Sequence, residues 1–586
     1  MRPPPGRTRF RCGSHRPSAR RGEVVTAAVK APEAPRPHPV RHALVRYRRS
    51  LSSVGLVFAL VFFAWSMTPS LLPRAWYLQG VATGICAATG YLLGVGVARL
   101  VRRIGYHPDW SPLARYRGNV ALGAVTCVYV PVALGLGAHW QEQVRRLVGV
   151  QADEEYYYGL VLAIALLVAV ALREVGRLLR LASRRVGAWG SRYVPARIAR
   201  LAGVVVVAVL TVLVVNGGLV TGFLAVVNSI AAQADRGDFP GVVRPTAAER
   251  SGSPGSLVRW ESLGKEGRAF VAGGPGADQL AAFSGRPART PVRVYGGLSS
   301  AGSLRDVAAL VVAELERTGA FDREVLAVAT TTGTGWVDPA IAEALEYVEG
   351  GDTAIAALQY SYLPSWAAFV ADRNSPRAAG RELFDQVYAA WQLRPVDRRP
   401  RLVAFGESLG SFGGQAAFSG LQDMTTRTSG ALWVGTPNWT EVWDELTAAR
   451  DPGSPERVPV VDGGAAARFA ARPEDLDLGT PWGASRVVYL QHATDPVVWW
   501  STDLLTRPPD WLEEPPGPDV SPEMTWLPAV TFWQLTIDMV FATDVPAGYG
   551  HHYGPVEVAG AWAQVLGPAD WSADDTARYR QLVESR

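Results

Sequence analysis

The sequence predicts an N-terminal all-α bundle of about five transmembrane helices. An α/β domain follows, with a mostly parallel sheet and helices on both of its faces. Three features of the 586 residues support this prediction. Long apolar runs fill much of the first 230 residues, short apolar runs alternate with helical patterns after residue 290, and charge divides between the two parts. Residues 1–234 hold 29 Lys and Arg against 8 Asp and Glu, whereas residues 235–586 hold 29 against 45. The net charge of +5 therefore combines a basic part and an acidic part, which indicates two environments.

The first 50 residues are rich in Arg and Pro, with 13 basic residues against two acidic ones. Because they show no apolar periodicity, we expect residues 1–50 to be a disordered, solvated tail. A nucleic-acid-binding arm is the alternative, but basic tails beside membrane spans commonly bind anionic lipid head groups. We therefore expect no nucleic-acid partner.

Residues 51–230 are predicted to form the transmembrane domain. The apolar runs cover 51–73, 77–101, 118–138, 157–172 and 201–229. A hydrocarbon core of about 30 Å needs about 20 helical residues, and four of the runs reach that length. The 157–172 run is short, but Tyr156, Tyr157 and Tyr158 precede it and are suited to a membrane interface. A buried helical core of a soluble protein is the alternative, and its helices would average only about 11–12 residues.

The charges of the connecting loops predict the orientation. The 99–117 loop holds five Arg against Asp109, and the 173–200 loop holds eight Arg against Glu174. The 139–156 loop is acidic, with Glu142, Asp153, Glu154 and Glu155 against two Arg. Since basic loops stay in the cytoplasm, we expect the tail and both Arg-rich loops inside. Five spans then place everything after residue 230 outside the inner or plasma membrane.

Residues 231–260, rich in Gly, Pro and Ser, are predicted to be a linker, and residues 261–586 a catalytic domain. Cys12, Cys86 and Cys127 all precede it, so no disulfide is expected there. Strands are predicted at 292–297, 325–333, 353–361, 401–408, 431–437 and 486–493, with helices near 303–318, 338–349 and 376–393 and from 409. Strands that are apolar throughout and alternate with helices indicate a parallel sheet, whose ligands bind at the carboxyl ends of the strands.

The predicted nucleophile lies at one of those ends. Strand 401–405 runs into Gly406-Glu407-Ser408-Leu409-Gly410, a G-x-S-x-G sequence. Gly406 and Gly410 suit a strand-to-helix turn that is too tight for side chains and that presents the Ser408 hydroxyl above the sheet. A Gly-rich turn with an idle serine is the alternative.

A nucleophilic serine needs a base and an acid that orients it. After residue 234 the histidines are His492, His551 and His552. His492 lies in a strand pattern and is expected to be packed, whereas His551 and His552 lie in a late loop, so we favour His551 as base with His552 as the alternative. Asp495 directly follows strand 486–493 and is the predicted acid; an Asp that merely starts a turn before Pro496 is the alternative.

An oxyanion hole needs two backbone N–H groups aimed at the developing negative charge. Leu409, directly after the serine, is the first predicted donor. Leu298 or Gly297 is predicted as the second, because glycines after an early strand let the backbone approach a substrate closely.

Several segments resemble a bacterial alpha/beta-hydrolase family with its own N-terminal membrane region. The matching stretches are RVYGGLSSA (293–301), RTGAFDR (317–323), TTGTGWVDP (331–339), LQYSYLPSW (358–366), FGESLGSFGG (405–414), GALWVGTP (430–437) and GYGHHYG (548–554). The resemblance implies an alpha/beta-hydrolase fold and a serine hydrolase of esterase or lipase type. The family's late motif resembles G-H-G-H-x-Y. Aligned with residues 548–553, its second histidine falls on His551, which supports His551 as the base, and Tyr549 stands in place of its first histidine.

The expected reaction is acyl transfer through a Ser408–His551–Asp495 triad, which requires no metal or cofactor. Nine tryptophans lie in residues 433–533, and about 50 residues between the last two predicted strands suffice for a cap insertion. With the bilayer as partner, these features favour a lipid or acylated cell-envelope ester as substrate. The alternatives are an acyltransferase to a cell-wall acceptor and a transport or scaffold protein with a degenerate hydrolase domain. The sequence does not indicate an oligomeric state.

Overall fold

The computed structural model describes Tyr47 and residues 50–106, 110–151 and 157–585. The predicted tail therefore lies outside the described residues apart from Tyr47 and Ser50, as do Asp109, Asp153, Glu154, Glu155 and Tyr156. Residues 52–586 form one unit in which membrane helices and catalytic domain contact each other.

Four N-terminal helices are long and apolar enough to cross a membrane. They are α2 (Trp76–Arg103), α3 (Pro112–Leu147), α4 (Tyr158–Gly190) and α5 (Ala196–Ala234), the last with a π-helical stretch at Leu213–Val220. The first predicted span is shorter than expected, because its helix α1 covers only Ser53–Trp65. At 1.5 Å per residue α1 is about 20 Å long, less than the hydrocarbon core. The rest of that apolar run, which contains Pro69 and Pro73, leaves the helix and enters the catalytic domain.

Small residues let the membrane helices approach closely. A Cβ on Gly90 would lie 2.6 Å from the Phe58 carbonyl oxygen of α1, and one on Gly84 would lie 2.7 Å from the Val168 Cβ of α4. A Cβ on Gly203 of α5 would lie 2.7 Å from the backbone nitrogen of Gly187. Such contacts between backbones are a common way for apolar helices to associate in lipid.

The catalytic domain contains a seven-stranded parallel sheet with helices on both faces. Its strands are β1 (Val292–Gly296), β2 (Val325–Thr330), β3 (Thr353–Leu358), β4 (Arg401–Glu407), β5 (Gly430–Val434), β6 (Ala467–Ala470) and β7 (Arg486–Leu490). The strand order is β1-β3-β2-β4-β5-β7-β6, and every pair is parallel. Six strands were predicted; β6 is a four-residue edge strand, too short for a recognisable apolar run.

Helices connect and cover these strands. They are α6 (Gly264–Ala272), α7 (Ala277–Ser284), α8 (Leu304–Arg317), α9 (Pro339–Val348), α10 (Ser365–Ala371), α11 (Asn374–Gln392), α12 (Leu409–Gln415), α13 (Leu421–Arg427), α14 (Glu441–Ala448), α15 (Pro496–Trp499), α16 (Asp510–Glu513), α17 (Val530–Asp538), α18 (Pro555–Leu566) and α19 (Ala573–Glu584). Alternate strand residues enter two separate apolar clusters, as in β2, where Leu326 and Val328 face one cluster and Ala327 faces the other. The sheet is therefore buried on both faces, as the apolar strands predicted.

One end of the membrane bundle is embedded in the catalytic domain. Leu71 and Leu72, between α1 and α2, are fully buried in the core cluster on one face of the sheet, together with Val148 after α3. After α5, the Asp235 carboxylate accepts hydrogen bonds from the Lys265 backbone N–H at 3.0 Å and from Gln359 Nε2 at 3.1 Å. The predicted Arg-rich loops 99–117 and 173–200 are mostly helical, because α2 ends at Arg103, α3 begins at Pro112 and α4 continues to Gly190. Their arginines therefore lie largely on the helices, toward the ends of α2 and α4 that are opposite the catalytic domain.

Candidate active site

Ser408 occupies a strained turn between β4 and α12. Its backbone has φ 53° and ψ −121°, a conformation that costs a non-glycine residue about 1–3 kcal/mol. The flanking glycines are sterically required, because a Cβ on Gly406 would lie 2.6 Å from the Gly410 carbonyl and one on Gly410 would lie 2.2 Å from the Thr330 oxygen. The Ser408 N–H donates to the Val434 oxygen at 2.9 Å, which ties the turn to the end of β5. The sequence pattern thus forms the tight strand-to-helix turn that it predicted.

Asp495 and His551 are in direct contact. The Asp495 side chain is fully buried, and its Oδ2 lies 2.7 Å from His551 Nδ1. Asp495 Oδ1 accepts the Val497 N–H at 2.8 Å, so the carboxylate also caps the short helix α15. With the proton on Nδ1 directed at the carboxylate, Nε2 is left with its lone pair. Nε2 is buried and has no hydrogen-bond partner among the described residues.

The His551 ring packs at the end of β5, the strand to which the Ser408 backbone is hydrogen-bonded. Gly435 follows Val434, the residue that accepts the Ser408 N–H, and a Cβ on Gly435 would lie 2.5 Å from His551 Cε1. Gly435 has φ +55°, so both its conformation and the nearby ring exclude a side chain. Among the described residues no hydrogen bond joins Ser408 Oγ to His551 Nε2. Catalytic hydrogen bonds are often long before substrate binds.

His552 lies apart from this contact. Its side chain is exposed, and its Nδ1 lies 2.7 Å from the Val545 carbonyl oxygen. The structure therefore brings His551, and not the alternative His552, to Asp495.

Leu409 is placed as predicted, but Gly297 and Leu298 are not near the serine. Leu409 is the first residue of α12, so its N–H has no acceptor within the helix. The Gly297 N–H donates to Ser300 Oγ at 3.0 Å and the Leu298 N–H to Gln359 Oε1 at 3.1 Å. Both follow the edge strand β1, which β3 and β2 separate from β4 by three strand spacings, roughly 14 Å. The prediction chose the loop after β1 because β1 comes early in the sequence. The chain crosses over after β1, however, so that β1 lies at the edge of the sheet.

The loop after β2 is the neighbour of the serine turn. Thr330 and Thr331 oxygens would lie within 2.2 and 3.2 Å of a Cβ on Gly410. In this loop the Thr332 N–H donates to the Trp336 oxygen and the Gly335 N–H to the Thr332 oxygen, both at 3.0 Å. Residues 331–334, in the loop after the strand that pairs with β4, therefore lie closer to the serine turn than Gly297 and Leu298 do.

Tyr553 and His492 support the Asp495–His551 pair and were not predicted as site residues. The Tyr553 hydroxyl donates to Asp495 Oδ2 at 2.8 Å, and its ring stacks on His492 at 4.1 Å between centroids. His492 Nδ1 lies 2.9 Å from the Gly550 oxygen and its Nε2 lies 3.0 Å from Glu557 Oε2. Burial lowers the pKa of His492, but the hydrogen bond and charge of Glu557 outweigh it, so the net pKa is raised. His492 is packed, as the sequence predicted, and it holds the backbone next to His551.

Two carboxyl groups lie together beneath the nucleophile. Glu407, directly before Ser408, is buried and hydrogen-bonded to Asp338, the N-cap of α9. Burial, followed by the charge of Asp338, raises the pKa of Glu407 well above its usual value, and burial also raises the pKa of Asp338. Because the negative charge of Asp338 disfavours a second charge beside it, the raised pKa of Glu407 favours its protonated form. No sequence signal linked these residues, which are 69 positions apart.

Comparison with known families covers both parts of the chain. A model described as an alpha/beta-hydrolase family matches residues 292–579, and a model described as the N-terminus of an alpha/beta-hydrolase family matches residues 67–275. The first match contains the strands, the serine turn and the Asp495–His551 pair; the second contains α2 to α5. Neither the curated proteins nor the solved structures compared with the chain include a match.

Proposed function

The chain belongs to this alpha/beta-hydrolase family, and from that premise we propose that it is a membrane-anchored serine hydrolase that cleaves carboxylic esters through Ser408, His551 and Asp495. The family supports hydrolase-type chemistry. The observation that supports the triad is the 2.7 Å contact between Asp495 Oδ2 and His551 Nδ1, which leaves a buried, unpartnered Nε2 in a ring packed against the end of β5, next to the serine turn.

The proposed reaction has two halves. Ser408 Oγ attacks the ester carbonyl while His551 Nε2 takes its proton, and the Leu409 N–H stabilises the oxyanion. His551 then gives that proton to the leaving alcohol oxygen as the C–O bond breaks. In the second half, water attacks the acyl enzyme by the same route, which releases the acid and restores the Ser408 hydroxyl. Asp495 stabilises the imidazolium in both halves.

We also propose that the catalytic domain lies outside the cell membrane and the N-terminus inside. The helix ends that meet the catalytic domain are opposite the Arg-rich ends of α2 and α4, and Arg-rich segments beside membrane spans remain cytoplasmic. The short α1 would still connect the two sides of the membrane. At its N-terminus the Ser52 N–H donates to the Tyr91 hydroxyl of α2, and its C-terminal end leads into the catalytic domain.

Hydrolysis of 4-methylumbelliferyl butyrate by the purified full-length chain tests the proposed function. Ser408→Ala should abolish turnover, whereas Ser419→Ala, an exposed serine just beyond the same helix, should leave it unchanged. Turnover retained by Ser408→Ala would contradict the assignment. Product analysis with an added alcohol would show whether water or another hydroxyl receives the acyl group.

A further inference from the structure

The residue that follows the nucleophile packs against a membrane helix. Leu409 and Phe412 of α12 are buried in one cluster with Leu363, Ala367 and Ala368, and Leu224 and Val227 of α5 pack against that cluster. The last membrane helix, α5, therefore packs against the cluster that contains Leu409, the residue directly after Ser408. The carboxyl edge of the sheet faces the membrane bundle, since Leu72 lies beside Gly550, next to His551, on its other side.

Helix α10 offers an apolar surface at this junction. Its Ala367 and Ala368 face the cluster, whereas Trp366 and Val370 are 57% and 60% exposed. The Trp366 ring lies 6.4 Å from that of Phe223 on α5. An exposed tryptophan beside a membrane helix is typical of the boundary between lipid and water.

Five half-buried rings extend from α10 to the opposite side of the bundle. We call Phe369, Trp439, Trp500, Phe532 and Trp533 the aromatic wall; successive ring centroids are 4.7, 5.7, 5.5 and 5.0 Å apart. At its far end Trp533 joins a cluster with Phe62 of α1 and Cys86 of α2. Helix α17, which holds Phe532 and Trp533, thus packs against α1 and α2.

Helix α5 leaves a lipid-accessible side beneath this wall. Its first half packs on α4 through Gly203, but the stretch Leu213–Ala234 contains no buried residue. Leu219, Phe223 and Val226 are each more than half exposed. Because α5 is apolar enough to span a membrane, this side is continuous with the acyl chains of the bilayer.

We propose that the Ser408 site draws its substrate from the bilayer, as a lipid ester whose acyl chain lies along α5 and α10 against the aromatic wall. This inference rests on the proposed function and specifies its substrate class and direction of entry. The carbonyl reaches Ser408 while the chain remains in apolar surroundings, so the methylenes need not be transferred into water. The acyl carbon passes from the alcohol oxygen to Ser408 Oγ, and water then releases it as a fatty acid that returns to the membrane.

Two esters with the same leaving group test the inference in phosphatidylcholine proteoliposomes of the full-length chain. 4-Methylumbelliferyl oleate partitions into the bilayer, and 4-methylumbelliferyl butyrate stays in water. We expect Trp366→Ala/Val370→Ser to lower the ratio of oleate to butyrate turnover by about tenfold or more. Trp189→Ala, with a side chain of similar exposure on α4 at the opposite end of the bundle, should leave that ratio unchanged.

A second measurement uses the unaltered chain. At fixed bulk concentration of the oleate ester, added phosphatidylcholine lowers its mole fraction in the membrane, and turnover should fall in proportion. Turnover that follows bulk concentration, or a ratio unaffected by the α10 substitutions, would overturn the inference and leave the serine hydrolase assignment intact. If the wild type cleaves neither ester, the proposed function fails, and this inference with it.

Discussion

At the scale of single residues, the ends of strands were the informative positions. Ser408, Asp495 and the loop of His551 could be predicted because a parallel sheet collects its carboxyl ends at one edge. The groups that hold them could not, since His492, after β7, meets Tyr553 and Glu557 only when two segments about 60 positions apart fold together. Gly297 and Leu298 follow a strand three spacings from β4, which the sequence could not indicate because strand order in space is not readable from order in the sequence.

Tyr553 is predicted to position the acid of the triad. Tyr553→Phe keeps the ring on His492 but removes the hydrogen bond to Asp495 Oδ2 and the hydroxyl that accepts the His492 N–H at 3.2 Å. We expect kcat/KM for the butyrate ester to fall about threefold to tenfold, the equivalent of one hydrogen bond. Tyr549→Phe, in the same loop, serves as the control. An unchanged rate would argue that the Tyr553 hydroxyl does not orient Asp495.

Glu407 should make stability depend on pH. Its raised pKa means that the folded chain binds the proton more tightly than the unfolded chain. The stabilisation is therefore complete below a pH of about 4.5 and is lost as pH rises through the raised pKa. Glu407→Gln can donate to Asp338 at every pH, so its Tm should fall less than that of the wild type as the pH rises from about 5 to about 9. Parallel Tm profiles for the variant and the wild type would contradict the shared proton.

At the scale of elements, apolar runs predicted strands better than they predicted the first membrane span. The strands matched because burial on both faces makes them apolar throughout. The 51–73 run was misread as one span since its second half is apolar for another reason: Leu71 and Leu72 fill the core of the catalytic domain. Apolar sequence alone does not distinguish lipid from protein interior.

A buried ion pair joins that segment to α17. Arg74 Nε lies 2.7 Å from Asp538 Oδ1, both side chains are fully buried, and Ser70 also donates to Asp538. Burial raises the pKa of Asp538, although Arg74 opposes it. Asp538→Asn leaves a buried guanidinium without its counter-charge and should lower the free energy of unfolding by about 3–5 kcal/mol, measured as a fall in Tm. Asp544→Asn, at an exposed carboxylate, is the control.

The double variant Arg74→Met/Asp538→Leu separates charge from packing. It removes both ions and keeps apolar volume, so it should regain most of the Tm lost by Asp538→Asn. A Tm that remains low in the double variant would argue that the hydrogen bond from Arg74 to Gln79 within the N-terminal part, rather than the ion pair to α17, supplies the lost stability.

At the scale of the whole molecule, the net charge of +5 conceals an uneven distribution of acidic residues. Basic residues divide equally between residues 1–234 and 235–586, with 29 in each, whereas 45 of the 53 acidic residues lie in residues 235–586. The sequence alone indicates this division, because the charge of each part does not depend on how the helices pack. It could not predict that the membrane helices would contact the active site, since Leu224 and Leu409 are 185 positions apart.

Cysteine accessibility tests the orientation. In a Cys12→Ser/Cys127→Ser background, Ser419→Cys should react with a membrane-impermeant maleimide in intact cells. Ser191→Cys, directly after the Arg-rich end of α4, should react only after permeabilisation; both serines are exposed. The opposite pattern would place the catalytic domain in the cytoplasm.

The central claim is that Ser408 is an activated nucleophile. Full-length chain in its membrane, treated with a fluorophosphonate and analysed by peptide mass spectrometry, should carry one adduct, on Ser408, and His551→Ala should lose it because no base takes the Ser408 proton. An adduct on another serine, or labelling that persists in Ser408→Ala, would contradict the account.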